Sequence, residues 1–266
     1  MIRLWNCDSI PMREIEFPKD TVVITDPPYG NGKYATDKAV PIEYYRWLVS
    51  SFKTVAIFGY PEKLIGICIG IGRQPDEWVT WNPVNKFMQL GKPLPKESEC
   101  IAIFGKVVGG NRLFRERADN SFGKKLAIKR GLSPDVCKLG DVWRDYSPAI
   151  ALSHKGRRHP NQKSLTVMMK LVVLCSDEGE TIFDPFMGSG TTGEAVKVIG
   201  GRNFYGIEKD FDYFSVAENV ISKAQQGSIR LLTPLALDGA IAPDNQQVLP
   251  ADVLVGEGTL PEPPRQ

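Results

Sequence analysis

Val22-Val23-Ile24-Thr25-Asp26-Pro27-Pro28-Tyr29-Gly30 is the stretch from which the rest of the chain can be read. Val22, Val23 and Ile24 make a β-branched run suited to a short strand buried on both faces. Pro27 and Pro28 end it, because neither has an N–H to give to a sheet ladder. Asp26 then stands at the carboxyl end of the strand, where open α/β sheets gather their ligand chemistry. In this reading its carboxylate, the carbonyls beside the two prolines and the Tyr29 ring converge on one small volume. Two acceptors beside a flat aromatic suit a planar group that carries an NH2, such as a nucleobase. Asp-Pro-Pro alone is read equally well as a strand end and a rigid turn. Tyr29, Gly30 and a second glycine-rich turn further on favour a site.

The 266 residues allow one to two domains and a single large core. With 42% apolar and 24% charged residues the composition is that of an ordinary globular protein. No apolar run reaches the ~18 residues that a membrane span needs. The N-terminus has no signal-peptide layout, so a cytoplasmic location is expected. Cys7, Cys68, Cys100, Cys137 and Cys175 are scattered and form no Cys-x-x-Cys, which points to buried thiols rather than disulfides or zinc. His154 and His159 have no partner at ligand spacing, so no metal site is expected.

Working outward, Ile2 to Trp5 reads as a strand that ends at Asn6-Cys7-Asp8. Residues 31–40 have no periodicity and read as a mobile loop beside the site. Pro41 opens a helix with Ile42, Tyr45, Leu48 and Phe52 on one apolar face. Thr54–Phe58 is a buried strand, and Pro61 opens a helix through Leu64, Ile65 and Cys68. Glu77–Trp81 and Glu99–Phe104 are two further strands. Leu165, Met168, Val172 and Cys175 mark the core face of a helix whose start lies near Ser164. Thr181–Phe183 and Asn203–Ile207 are strands, Glu194 to Ile199 is helical, and Asp210 caps a last helix with Phe214, Ala217, Ile221 and Ala224 on one face.

Charge is uneven along a chain of net +2. Residues 106–130 carry Arg112, Arg115, Arg117, Lys124 and Lys125 among glycines and few core residues. A second stretch has Lys155, Arg157 and Arg158 and no acid. Such runs are most often solvated surface. Two of them, with Lys33 beside the first turn, also suit a phosphate backbone.

Thr181–Phe183 leads into Asp184-Pro185-Phe186-Met187-Gly188-Ser189-Gly190-Thr191-Thr192-Gly193. Gly188, Gly190 and Gly193 fit G-x-G-x-x-G between a strand and a helix, with Glu208 about 20 residues on. Small residues let a ligand approach the backbone, helix N–H groups face a negative group, and the next strand's carboxylate accepts from ribose hydroxyls. This pattern alone does not separate NAD from S-adenosylmethionine. Asp184-Pro185-Phe186 helps, because an acid just before the turn suits the ammonium of a methionine moiety and repels a pyrophosphate.

The Asp26-Pro27-Pro28-Tyr29 turn together with Phe183 to Thr192 resembles the DNA amino-methyltransferases, which methylate adenine N6 or cytosine N4. The catalytic motif precedes the cofactor motif, and His159-Pro160-Asn161-Gln162-Lys163 comes just before the latter, as in the family's beta class. Asp8, Trp81 and Glu99 also match positions in the family pattern. The resemblance covers roughly residues 1–222. It implies an α/β, Rossmann-like fold for S-adenosylmethionine-dependent methyl transfer, with a mostly parallel seven-stranded sheet, one antiparallel strand and a circularly permuted motif order. Residues 1–227 would be the catalytic domain, with a short variable recognition insertion at about 106–140. Residues 228–266 read as a disordered tail.

By that resemblance Asp26, Pro27, Pro28 and Tyr29 are catalytic, and adenine N6 is favoured over cytosine N4 because the turn begins with Asp. Asp184, Pro185, Phe186, Gly188, Ser189, Gly190 and Thr191 would cradle the methionine end of S-adenosylmethionine. Glu208 would hold its ribose and Asp8 would sit near its adenine. Lys163 is read either on the cofactor carboxylate or on a DNA phosphate. The implied substrate is double-stranded DNA in a prokaryotic or phage-infected cell. A second copy of the chain and a cognate restriction endonuclease are candidate partners. An RNA or protein N-methyltransferase and a non-catalytic nucleic-acid or NAD module are the alternatives. An NAD module gives no reason for Asp26-Pro27-Pro28-Tyr29, and a binding module gives none for Glu208 with the glycine turn.

Overall fold

Ten strands and five helices lie among the residues that the structure, a computed structural model, describes: 1–11, 16–28, 30, 38–83, 98–108, 113–115, 136–145 and 162–226. In chain order they are β1 (Ile2–Asn6), β2 (Val22–Thr25), α1 (Ile42–Ser51), β3 (Thr54–Gly59), α2 (Pro61–Ile71), β4 (Glu77–Pro83) and β5 (Glu99–Gly105). Then follow β6 (Leu113–Arg115), β7 (Val136–Lys138), β8 (Val142–Asp145), α3 (Leu165–Cys175), β9 (Thr181–Asp184), α4 (Thr191–Ile199), β10 (Asn203–Glu208) and α5 (Phe211–Lys223).

Val22, Val23 and Ile24 are wholly buried, as their β-branched run predicts. They are buried because β2 sits inside a sheet of order β1-β10-β9-β2-β3-β5-β4-β8. β2 pairs in parallel with β3 on one side and β9 on the other. β5 alone runs antiparallel, to β3 and to β4. The two strands with the marked turns are therefore neighbours in space although far apart in sequence. The chain leaves β2 towards β3 and leaves β9 towards β10, so the crevice between their carboxyl ends is a topological switch point, where such sheets bind ligands.

The sheet has eight strands rather than seven. The eighth, β8, extends the edge by pairing in parallel with β4 from Thr80↔Val142 to Pro83↔Asp145. Trp143 is buried at 2% exposure and its indole N–H donates to Gly140 O, whereas Val142 is 55% exposed. One inward side chain on a charged edge strand leaves little period-2 signal to read. β6 and β7 form a separate antiparallel pair.

Helices cover the two faces unequally. α1 and α2 pack Tyr44, Tyr45, Leu48 and Leu64 against Val23, Val55 and Ile57. Next to them, where β9 and β10 lie, Phe17 fills the face instead, its ring 4.5 Å from Phe183 and 5.1 Å from Phe52. On the opposite face α3, α4 and α5 pack over Val22, Ile24, Ala56 and Phe58. α3 is buried all round from Val167 to Cys175, not on one face as its spacing predicts, because it lies between the sheet and α4. Lys170 within it is buried, with Nζ 5.6 Å from the centre of the Trp143 ring. α2 departs in the other sense: only Leu64 is buried, while Ile65 is 53% exposed. α5 is capped by Asp210, which accepts from the N–H groups of Asp212 and Tyr213 as expected. No helix among the described residues is long and apolar enough to cross a membrane.

Candidate active site

The carboxyl ends of β1, β10, β9 and β2 bring Asp8, Glu208, the glycine turn and Asp26 to one edge of the sheet, in that order. α4 starts at Thr191, three residues earlier than the sequence suggests, with Gly190 as its N-cap. Gly188 has φ +52°, and a Cβ built there meets nothing within 4 Å. That open space is a cradle at which a ligand can reach the backbone. Gly190 has φ +82° for a different reason: a Cβ there would lie 2.9 Å from Ala217 Cα, so glycine lets α4 and α5 close on each other.

Glu208 steadies the cradle. Its Oε2 accepts from the Gly188 N–H at 3.0 Å and its Oε1 from the Asp210 N–H at 2.9 Å. Burial pushes its carboxyl above the usual range, while the bonds from Asp210 and Gly188 oppose that. Asn6 donates to the Glu208 carbonyl at 2.8 Å, which fixes the end of β1 against β10. Asp8 Oδ1 accepts from the Ile10 N–H at 3.0 Å. Beside it the Ser9 hydroxyl is buried and, among the described residues, has no hydrogen-bond partner.

Asp184 is enclosed. It is 2% exposed, and its carboxylate accepts from Thr192 Oγ1 at 2.6 Å, Thr25 Oγ1 at 2.9 Å and the Phe186 N–H at 3.1 Å. Burial raises its pKa to about 7 against the pull of these donors, and the Asp26 charge adds to the rise. Its bond from Thr25 ties the glycine turn to β2. Pro185, Ser189 and Thr191 are buried around it, and Phe186 is half-buried with its ring 5.8 Å from that of Tyr44.

Lys163 lies between two carboxylates. Its Nζ is 2.8 Å from Asp26 Oδ2 and 2.9 Å from Glu99 Oε2. Its side chain is 6% exposed, so it is not presented to a DNA phosphate. The ammonium also lies 5.6 Å from the centre of the Phe58 ring. Tyr45 and Tyr60 complete the surroundings of Asp26. Burial raises both phenols above their ordinary pKa, Asp26 raises them further, and Glu99 adds to the rise at Tyr60 while Lys163 opposes it. A cavity of about 250 Å³ opens beside Pro27 and Pro28, walled by Val40, Tyr45, Phe58 and Leu64. Its walls are largely apolar and suit a flat ring.

Of the other expected site residues, Tyr29, Lys33, Arg112, Arg117, Lys124, Lys125, Lys155, Arg157 and Arg158 lie outside the described residues, and of Arg115 only the backbone, in β6, is described. Tyr45, Phe58 and Tyr60 were not singled out as site residues. Their signal was present, since each stands at or beside a strand or helix end on the same edge as Asp26.

Residues 21–219 match a family model described as DNA methylase. Among curated proteins, the Type II methyltransferase M.HinfI of Haemophilus influenzae is 35% identical over 195 residues, 70% of this chain and 49% of that protein. M.HpaI of Haemophilus parainfluenzae is 24% identical over 237 residues, 81% of this chain and 72% of that protein. The chain thus spans about half the length of M.HinfI. Among solved structures, an M1.HpyAVI–SAM complex aligns with 83% of this chain and 99% of that one, at a TM-score of 0.57 and 22% identity. With the family model matching most of its length and the fold agreeing, the chain belongs to the DNA methylase family.

Proposed function

We propose that this protein transfers a methyl group from S-adenosylmethionine to the exocyclic amine of a base in DNA, adenine N6 in preference to cytosine N4. The observation that carries the reading is the placement of Asp26 beside the glycine turn of β9, joined to it through the Thr25–Asp184 hydrogen bond. The residues present fit the cofactor: an open glycine cradle at Gly188, a carboxylate at Glu208 and a buried hydroxyl in need of a partner at Ser9. Gly188 to Thr191 would hold its methionine end, Glu208 the ribose and Asp8 with Ser9 the adenine. When bound, S-adenosylmethionine supplies an electrophilic methyl on a sulfonium.

The chain's own part is alignment. The amine of a nucleobase is a weak nucleophile because its lone pair is delocalised into the ring. Asp26 and the Pro27 carbonyl, accepting its two N–H groups, favour a pyramidal nitrogen with the lone pair aimed at the methyl. Fixed acceptors of this kind, with the reactants held in line, supply the acceleration. The base leaves the duplex to reach the turn, at about a few kcal/mol, and Tyr29 is assigned to stack on it. Arg112, Arg115, Arg117 and the other basic residues of the two charged stretches are assigned to DNA phosphates.

The deciding assay is transfer from labelled S-adenosylmethionine to unmethylated genomic DNA, followed by nucleoside analysis. Label in N6-methyladenine is expected. Label in N4-methylcytosine would keep the mechanism and change the base. Cofactor binding with no label in DNA would overturn the substrate and redirect the search to RNA or protein.

A further inference from the structure

The cluster around Lys163 is more than a buried ion pair. Asp26 follows β2, Phe58 belongs to β3 and Glu99 opens β5, and these are successive strands of the sheet. Lys163, just ahead of α3, lays its ammonium across all of them, on Asp26 Oδ2, over the Phe58 ring and on Glu99 Oε2. The carboxylates are themselves largely enclosed, with side-chain exposures of 20% and 13%. Charges this far out of water persist only when paired. A cation that bridges two carboxylates couples them, so each group's ionisation depends on the other two.

We infer that Lys163 and Glu99 are positioning residues for methyl transfer: Lys163 fixes the plane of the Asp26 carboxylate and keeps it ionised, and Glu99 anchors Lys163 from the far side. This rests on the reading of Asp26 as the acceptor for the target amine. An Asp26 that took up a proton would present an O–H in place of one acceptor, and the amine would lose the bond that shapes it. Lys163 opposes that protonation and Glu99 promotes it, because a like charge nearby disfavours the charged form and an opposite charge favours it. Other groups also face Asp26: Tyr45 from α1, Tyr60 from the turn between β3 and α2, and Asp184 from β9. Changes at Lys163 and at Glu99 are expected to move the Asp26 proton in opposite directions.

The test is the pH dependence of methyl transfer to unmethylated genomic DNA, at saturating S-adenosylmethionine, with cofactor affinity measured in parallel. Lys163→Met is expected to bind cofactor within about twofold of wild type, to lose about a hundredfold in rate near neutrality, and to shift the acid limb upward by about one to three pH units. Glu99→Gln is expected to shift the acid limb downward, and Lys163→Arg to keep it where wild type has it. An acid limb that stays in place in both Lys163→Met and Glu99→Gln, with only the amplitude lowered, would overturn the inference. So would loss of cofactor binding in a folded Lys163→Met, which would make Lys163 a cofactor ligand. If Lys163→Met does not fold, Glu99→Gln decides alone: a downward shift supports the inference and any other result rejects it. Asp26→Ala separates this from the underlying reading. Transfer at the wild-type rate in Asp26→Ala removes the role of Asp26 itself, whereas an inactive Asp26→Ala with unmoved acid limbs removes only the roles of Lys163 and Glu99.

Discussion

The Thr25 hydroxyl donates to Asp184 Oδ1 at 2.9 Å, and this bond joins the strand that ends in Asp26 to the strand that ends in the glycine turn. Thr25 is wholly buried, so neither partner has water as a substitute. Thr25→Val keeps the shape and removes the donor. It is expected to lower stability by about 1 kcal/mol, the usual net worth of one hydrogen bond, because Asp184 Oδ1 keeps the bond from the Phe186 N–H. It should also weaken cofactor affinity and slow transfer together, because both turns shift. Urea denaturation and cofactor titration check this, and an unaffected cofactor affinity would uncouple the two turns.

Asp184 also sets a pH dependence of stability. Its pKa is about 7 in the folded protein against 3.8 for the ordinary side chain. Between those values the folded chain holds a proton that the unfolded chain has released. Its contribution is therefore complete below about pH 4 and is lost as pH rises through about 7. Stability measured across that window should fall with increasing pH, and Asp184→Asn should flatten the slope. A slope unchanged in the variant assigns it to another group, such as Glu208, whose carboxyl is raised in the same direction.

Asp26→Ala is expected to retain cofactor binding and to lose transfer by at least about a hundredfold, as removal of a preorganised acceptor does. Single-turnover rates beside cofactor titration separate the two effects. A simultaneous loss of binding would place Asp26 in the cofactor site.

Gly188 and Gly190 should respond differently to alanine. Gly190→Ala meets a Cα at 2.9 Å on top of its positive φ, and should destabilise the fold by more than the ~1–2 kcal/mol of left-handed strain alone. Gly188→Ala meets open space, so it should lose only about that strain while its methyl fills the cradle and weakens cofactor binding. Melting temperatures and cofactor titrations of the pair distinguish a packing glycine from a ligand glycine. Equal losses of affinity at equal stability would contradict the distinction.

If Arg112, Arg115 and Arg117 neutralise phosphates, replacing all of them by alanine should reduce the slope of log affinity against log salt by about 0.9 per lost contact. An unchanged slope would return this stretch to ordinary solvated surface.

Much of the frame was legible because its signals are local. The β-branched run Val22–Ile24, the prolines after Asp26, the glycines around Ser189 and the cap at Asp210 each state a backbone requirement within a few residues. Asp26, Glu208 and the glycine turn follow directly from them. What was not legible depends on partners distant in sequence. Lys163 reads as a partner for a cofactor carboxylate or a DNA phosphate, and its contacts with Asp26 and Glu99 are visible only once the sheet brings them to either side of it. Asp184 reads as a ligand acid until Thr25 and Thr192 are seen to enclose it. β8 escapes because a single inward Trp143 makes no period, and Ile65 because helical spacing marks a face without saying whether anything covers it.

The permuted order has a consequence for synthesis. β1 leaves the ribosome well before β10, yet the two pair in the sheet, so Asn6 waits for Glu208. β2 emerges soon afterwards with one ladder closed by β3 and the other open until β9 arrives, and Thr25 meets Asp184 159 residues later. Contacts of such sequence separation form slowly, and an unpaired apolar edge invites association meanwhile. The nascent chain thus carries the Asp26 turn long before the strands that bear the glycine turn and Glu208 arrive, and the proposed transfer waits for all three to meet in the sheet.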